Sequence, residues 1–138
     1  MNIVLVISSL SCGGAERVLS NMADYWAEAG HRVTVLTFDD GSSIFYPLLE
    51  SVQCNPLNIT SQSKSWTDGL MNNLKRIHVL RKYILQSEPD CVISFMYSTN
   101  ILVLLATRFL SCKIIISERN YPIYSKEKRK AWFWLRKT

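Results

Sequence analysis

Gly13 and Gly14 lie between an apolar run, Ile3-Val4-Leu5-Val6-Ile7, and a helix-patterned stretch that opens on Ala15, Glu16 and Arg17. A strand, a small-residue loop and a helix in that order build an anion site. Two adjacent glycines remove the Cβ atoms that would hold a diphosphate away from backbone N–H groups, and the helix turns its positive end to the same point. The same pair also serves as an ordinary tight turn. Glu16 and Arg17 open that helix; a first-turn carboxylate is favourable through the dipole alone, and Arg17 can pair with an acidic neighbour, so a binding role and a structural one both stand for the two.

A second cluster is Ser117-Glu118-Arg119-Asn120-Tyr121-Pro122, which places a carboxylate, a guanidinium and an amide directly after a buried strand. Carboxylates and amides bond sugar hydroxyls, and Arg grips phosphate in a two-pronged manner. A strand-end salt bridge followed by a turn at Pro122 is the structural alternative. Tyr97-Ser98-Thr99-Asn100 forms a third polar stretch after another strand. His31 and His78 are weak candidates for a general base, because one follows a helix stop and the other stands among basic helix residues. Cys12, Cys54, Cys91 and Cys112 are far apart, without a Cys-x-x-Cys pair or a nearby histidine. Neither a metal-ligand set nor a Ser/His/Asp or Cys/His constellation is visible, and reduced thiols are the expected state.

The elements that must position these groups alternate. Residues 2–8 read as a buried strand; Ala15, Val18, Leu19, Met22, Ala23, Trp26 and Ala27 follow one helical face, and Gly30 supplies a left-handed stop. A second strand spans Arg32 to Phe38, a short helical turn is expected over Ile44 to Glu50, and a third strand near Val52 to Leu57. A long helix runs from Asp68 to Gln86, with Leu70, Leu74, Ile77, Leu80, Ile84 and Leu85 on its buried side and Lys75, Arg76, Arg81 and Lys82 on the other. Cys91 to Phe95 is the fourth strand, Asn100 to Phe109 a helix and Lys113 to Ser117 the fifth strand. This order predicts an α/β fold, a Rossmann-like doubly wound parallel sheet in a single domain, with ligands at the carboxyl ends of its strands. The loops after strands one, four and five then share one edge.

With 138 residues, the chain is long enough for one hydrophobic core. Its net charge of +5 is uneven: residues 1–124 hold ten basic and ten acidic residues, while residues 125–138 hold six basic residues against Glu127. The expected organisation is a domain over 1–124 and a basic aromatic helix over 125–138. Lys126, Lys128, Arg129, Lys130, Arg136 and Lys137 surround Trp132, Phe133 and Trp134, a mixture that favours an anionic membrane surface. Packing of Trp132 and Leu135 on the sheet explains it equally well, and nucleic acid is the less favoured target of the charge. The uncharged stretch from Cys91 to Thr107 is broken by Ser94, Ser98, Thr99 and Asn100, so a strand, a loop and a helix account for it better than a membrane span. The N-terminus lacks the basic start of a signal peptide.

Gly13-Gly14-Ala15-Glu16-Arg17-Val18-Leu19, Gly30-His31-Arg32-Val33-Thr34-Val35, Pro89-Asp90-Cys91-Val92-Ile93 and Ser117-Glu118-Arg119-Asn120 together resemble the N-terminal half of a family 4 retaining GT-B glycosyltransferase. The nearest type is the bacterial enzymes that extend lipid-linked or capsular glycans, and the likeness covers nearly the whole chain. It implies two facing Rossmann-like domains, the first for the acceptor and the second for most of the nucleotide sugar. Gly13 and Gly14 would approach the donor diphosphate, and Glu16, Arg17, Tyr97, Glu118, Arg119 and Asn120 would border the acceptor. The implied co-substrate is a nucleotide sugar of the UDP class, without a cofactor or metal. The implied partners are a glycan or lipid-linked acceptor, a C-terminal glycosyltransferase domain and the cytoplasmic membrane surface, with the protein cytoplasmic or peripheral at the inner face.

The second domain of the family has no counterpart in this sequence, and Glu118-Arg119-Asn120 stands where many relatives carry a histidine. No catalytic base is therefore assigned. The expectation is a truncated or separately encoded acceptor-side domain that is inactive alone. The alternative is a noncatalytic Rossmann-like domain that binds a phosphorylated ligand or a protein partner; a third reading is an adaptor for membrane or nucleic acid driven by the tail.

Overall fold

The computed structural model of the chain describes residues 1–60 and 66–118, apart from the side chains of 66–68. Five strands, β1 (Asn2–Ile7), β2 (Arg32–Thr37), β3 (Gln53–Pro56), β4 (Cys91–Phe95) and β5 (Lys113–Ser117), form one sheet in the order β3-β2-β1-β4-β5. All four pairings are parallel. Three helices, α1 (Gly14–Glu28), α2 (Trp66–Gln86) and α3 (Tyr97–Ala106), are described. The strand order reverses between β1 and β4, which marks the switch point where open α/β sheets hold ligands.

Alternate residues of the central strands feed two cores, as the period of two requires. Ile3, Leu5, Ile7, Val33, Val35 and Ile93 pack with Leu19 and Ala23 of α1. Val4, Val6, Leu36 and Val92 pack with Leu80 and Ile84 of α2 and Val103 of α3. The apolar face expected for α1 is therefore the one that packs. Gly30, at φ 84°, ends that helix as predicted: its N–H reaches the Ala27 carbonyl and the His31 N–H reaches that of Trp26. This is a Schellman stop, and it relies on the left-handed backbone that glycine adopts without a Cβ penalty.

Four expectations require correction. The stretch from Ile44 to Glu50 holds no helix; β2 crosses to β3 through irregular backbone whose Leu48 and Val52 side chains pack against the α1 core. The third strand is shorter than expected, Gln53–Pro56. The fourth-strand crossover helix begins at Tyr97, three residues early, and ends at Ala106. Its early start follows from a sharp backbone turn at Met96, φ 76°, followed at once by helical bonding from the Asn100 N–H to the Met96 carbonyl (2.9 Å).

The fourth correction concerns α2. Leu70, Leu74 and Leu85 are exposed, while two of the expected outward cations turn inward. Arg76 Nε donates to the Ile59 carbonyl (2.9 Å), and Arg81 Nη1 donates to the carbonyls of Ala106 (2.7 Å) and Arg108 (2.9 Å). Backbone carbonyls left open at loops and helix ends attract guanidinium donors, and this local demand overrides the hydrophobic pattern.

Candidate functional site

The site lies at the carboxyl edge, over β1, β4 and β5. Adjacent strands lie about 4.8 Å apart, so the three loops follow one another within roughly 10 Å. From β1 the chain continues through Ser8 to Gly13. Leu10 is fully buried and anchors this loop, and the Ser9 and Ser11 hydroxyls meet at 2.9 Å. Neighbouring segments fix its backbone: the Ser8 carbonyl accepts from the N–H groups of Phe38 and Asp39, and the Leu10 carbonyl accepts from Phe45 N–H.

Gly13 caps α1 with extended backbone, φ −167°, which any residue adopts. Its carbonyl accepts the Arg17 N–H (3.1 Å), and as a glycine it has no side chain to offer the helix end. A Cβ on Gly13 would overlap the Glu16 carboxylate, which folds back over the loop; a Cβ on Gly14 would meet nothing within 4 Å. Neither glycine is thus required by backbone torsion, and among the described residues Gly14 leaves open space at the first N–H groups of α1, which receive no side-chain cap. That is the geometry of an anion approach. Glu16 places a carboxylate on the same helix end, where the dipole favours it and where it competes with an incoming anion.

The second helix end is α3. Met96 brings the chain off β4 in a conformation that costs a non-glycine residue about 1–3 kcal/mol. A buried network holds it: Ser94 Oγ donates to Asn100 Oδ1 (2.7 Å), Asn100 Nδ2 donates to the Ser117 carbonyl (3.2 Å), and the Met96 N–H reaches the same carbonyl (3.2 Å). Asn100 thereby joins β4, α3 and β5. Thr99 is fully buried beside it, and its hydroxyl has no hydrogen-bond partner among the described residues. Tyr97 is half-buried at the first turn of α3, with exposed Ser98 beside it.

The expected site residues divide as follows. Gly13, Gly14, Glu16, Tyr97 and Glu118 come to the same edge, with Glu118 exposed at the end of β5 and Arg17 exposed on the first turn of α1. Arg119 and Asn120, and the tail with Lys126, Lys128, Arg129, Lys130, Trp132, Phe133, Trp134, Arg136 and Lys137, lie outside the described residues. His31 follows α1 at the amino edge and His78 is exposed on α2, so neither joins the site. A hollow of about 210 Å³ lined by Arg32, Gln53, Asn55, Tyr83 and Gln86 opens near the amino ends of β2 and β3, away from it.

Two features were not legible in full from the sequence. Asn100 stands in the polar stretch after β4 and at the expected start of a helix, but its bond to the Ser117 carbonyl follows only once the sheet order brings β5 beside β4. Asp39 follows β2 in an apparent turn, yet both its carboxylate oxygens are shielded from solvent and have no hydrogen-bond partner among the described residues. Its charge and burial raise the Cys54 pKa, with burial the larger cause. Burial likewise raises Cys91 and Cys112, so these thiols remain protonated and chemically quiet. The described residues contain no His/Cys/Asp/Glu group able to hold a metal ion.

Comparison with known proteins finds this sequence and this fold in a wider group. The chain is 34% identical over 141 residues to an α-1,4-N-acetyl-D-galactosaminyltransferase of Campylobacter jejuni whose name gives a diNAcBac-PP-undecaprenol-linked acceptor; the alignment covers 99% of this chain and 37% of that protein. This chain thus spans little more than a third of the relative's length. Its fold matches a glycosyltransferase from Rickettsia africae (TM-score 0.63, 21% identity, 83% of this chain and 28% of that one). It also matches sucrose-phosphate synthase from Thermosynechococcus elongatus (TM-score 0.69, 10% identity, 95% and 37%). A lipopolysaccharide outer core galactosyltransferase aligns at TM-score 0.62 with 16% identity, over 86% of this chain and 32% of that one. The sequence profile of Glycosyltransferase Family 4 matches residues 12–138, from the glycine loop onward, and the chain belongs to that family.

Proposed function

We propose that this chain forms the acceptor-side half of a glycosyltransferase that moves a sugar from a UDP-linked donor to a lipid-linked glycan. The observation that carries the reading is Gly14, a glycine that neither torsion nor packing among the described residues requires, set at the N-terminus of α1 at the switch point of the sheet. A helix N-terminus from which the Glu16 carboxylate swings aside stabilises the diphosphate of a donor held from across a cleft. Tyr97 and Glu118, brought to the same edge by the strand order, supply hydroxyl and carboxylate groups that recognise sugar hydroxyls. The relative's name supports a lipid-linked acceptor.

The chemistry assigned here is binding and orientation. The donor sugar and the base that completes transfer come from outside the described residues, with a second Rossmann-like half as the partner. The retaining stereochemistry and a place at the inner face of the cytoplasmic membrane, aided by the tail, belong to the same proposal. No described helix is long and apolar enough to cross a membrane; α3, at 10 residues, reaches only about 15 Å. The test is to supply a cognate second half and measure transfer. Rescue supports the reading, whereas persistent inactivity of a folded assembly favours a noncatalytic domain that binds a phosphorylated ligand, the alternative to which Glu118-Arg119-Asn120 in place of a histidine points.

A further inference from the structure

α2 and α3 form the layer on one face of the sheet, and its solvent side is unusually apolar. Leu70, Met71 and Leu74 are 57%, 66% and 55% exposed, and Leu85, Leu105 and Phe109 extend the surface toward the other end of the layer. Arg81, bonded to the carbonyls of Ala106 and Arg108, ties the end of α3 to α2. Leu70, Met71, Leu74 and Leu85 share a single arc of α2 with Lys75, His78 and Lys82, about 140° wide at 3.6 residues per turn. All three of these basic residues are exposed. Between Gly69 and Ser87, and between Tyr97 and Lys113, the sequence has no aspartate or glutamate.

We infer that this α2–α3 face docks on an anionic lipid bilayer. The inference rests on the lipid-linked acceptor proposed above, and it assigns the contact to a surface separate from the basic tail. Leucines interleaved with lysines, without acidic residues, match a boundary where acyl chains meet anionic headgroups. A second copy of the chain fits poorly, because it would bring two acid-free basic faces together. The placement also serves the site. Each helix runs back from the carboxyl edge, so the N-terminal end of α2, where Leu70, Met71 and Leu74 lie, adjoins the edge that carries Gly14 and Tyr97. A bilayer along the roughly 22 Å from Leu70 to Leu85 leaves that edge open beside the membrane surface.

The test is cosedimentation of the full 138-residue chain with phosphatidylcholine vesicles and with vesicles of equimolar phosphatidylcholine and phosphatidylglycerol. Wild-type protein is expected on the anionic vesicles. Leu70→Asp with Leu74→Asp, and separately Lys75→Glu with Lys82→Glu, each lower the bound fraction about tenfold, and raised salt weakens wild-type binding. A fluorophore on Met71→Cys, introduced together with Cys12→Ser so that the exposed native thiol is not labelled, is expected to shift to the blue when anionic vesicles are added. Circular dichroism confirms that the variants fold. Binding unchanged in both α2 double variants, or no fluorophore shift, overturns the inference; so does a wild-type dimer in light scattering that the leucine variant abolishes. Loss of binding on Trp132→Ser with Trp134→Ser while both α2 variants bind normally assigns the contact to the tail and also overturns it. Sugar transfer to a soluble short-chain acceptor by the assembled enzyme is left intact by the α2 substitutions, so failure there speaks against the proposed function alone.

Discussion

Replacing Gly14 with alanine separates fold from function, because the new Cβ enters open space at the first helical position. Alanine there is expected to leave stability unchanged or raise it by about 0.5 kcal/mol, while transfer by an assembled enzyme falls as the methyl obstructs the helix end. Chemical denaturation together with an activity assay checks both; a clear loss of stability would return Gly14 to a structural role. Asn100→Ala is expected to do the reverse. It removes the bonds to Ser94 and the Ser117 carbonyl and leaves a buried hydroxyl unmatched, a loss of about 2 kcal/mol by denaturant titration. A change below about 0.5 kcal/mol would mean that this network does not hold the turn at Met96. Asp39→Asn is expected to raise the melting temperature, since it removes a shielded charge that no described residue satisfies, and a lower melting temperature would reveal a donor to that carboxylate.

At the scale of elements, the central strands and α1 were legible because both rest on local periodicity. Val33 to Leu36 and Cys91 to Phe95 are buried on both faces, so an uninterrupted apolar run is the correct sign of them. The face of α1 was legible for the same reason. What failed depended on partners distant in sequence. Arg76 and Arg81 turn inward toward carbonyls 17 and 25 residues away, and Asn100 toward one 17 residues away, contacts that no window of a single helix contains. The candidate site was legible to the same extent: the glycine loop is contiguous, whereas the clamp on α3 depends on β4 and β5 being neighbours. Element burial also orders thiol reactivity. At neutral pH an alkylating reagent is expected to modify Cys12, exposed in the glycine loop, first and Cys91, buried in β4, only on unfolding; peptide mass spectrometry that found Cys91 modified early would contradict the placement of β4.

As a whole, the described residues form a sheet that is well covered around β1 and less so at β5. Burial is nearly complete through β1, β2 and β4, but Ile115 and Ile116 of β5 are half-exposed on successive positions and so on opposite faces. The glycine loop is likewise complete in backbone geometry and incomplete in chemistry, with no side-chain cap from Gly13, a competing Glu16 carboxylate and no base assigned. The central claim is that this edge is one wall of a sugar-transfer cleft. Its most direct test joins the chain to the C-terminal part of the Campylobacter jejuni relative and measures transfer from UDP-N-acetylgalactosamine to an undecaprenyl-diphosphate-linked glycan by mass spectrometry. The account predicts product from the joined protein, much less from its Gly14→Ala form, and none from this chain alone. Turnover by the 138-residue chain without a partner, or a folded joined protein that forms no product, would contradict it.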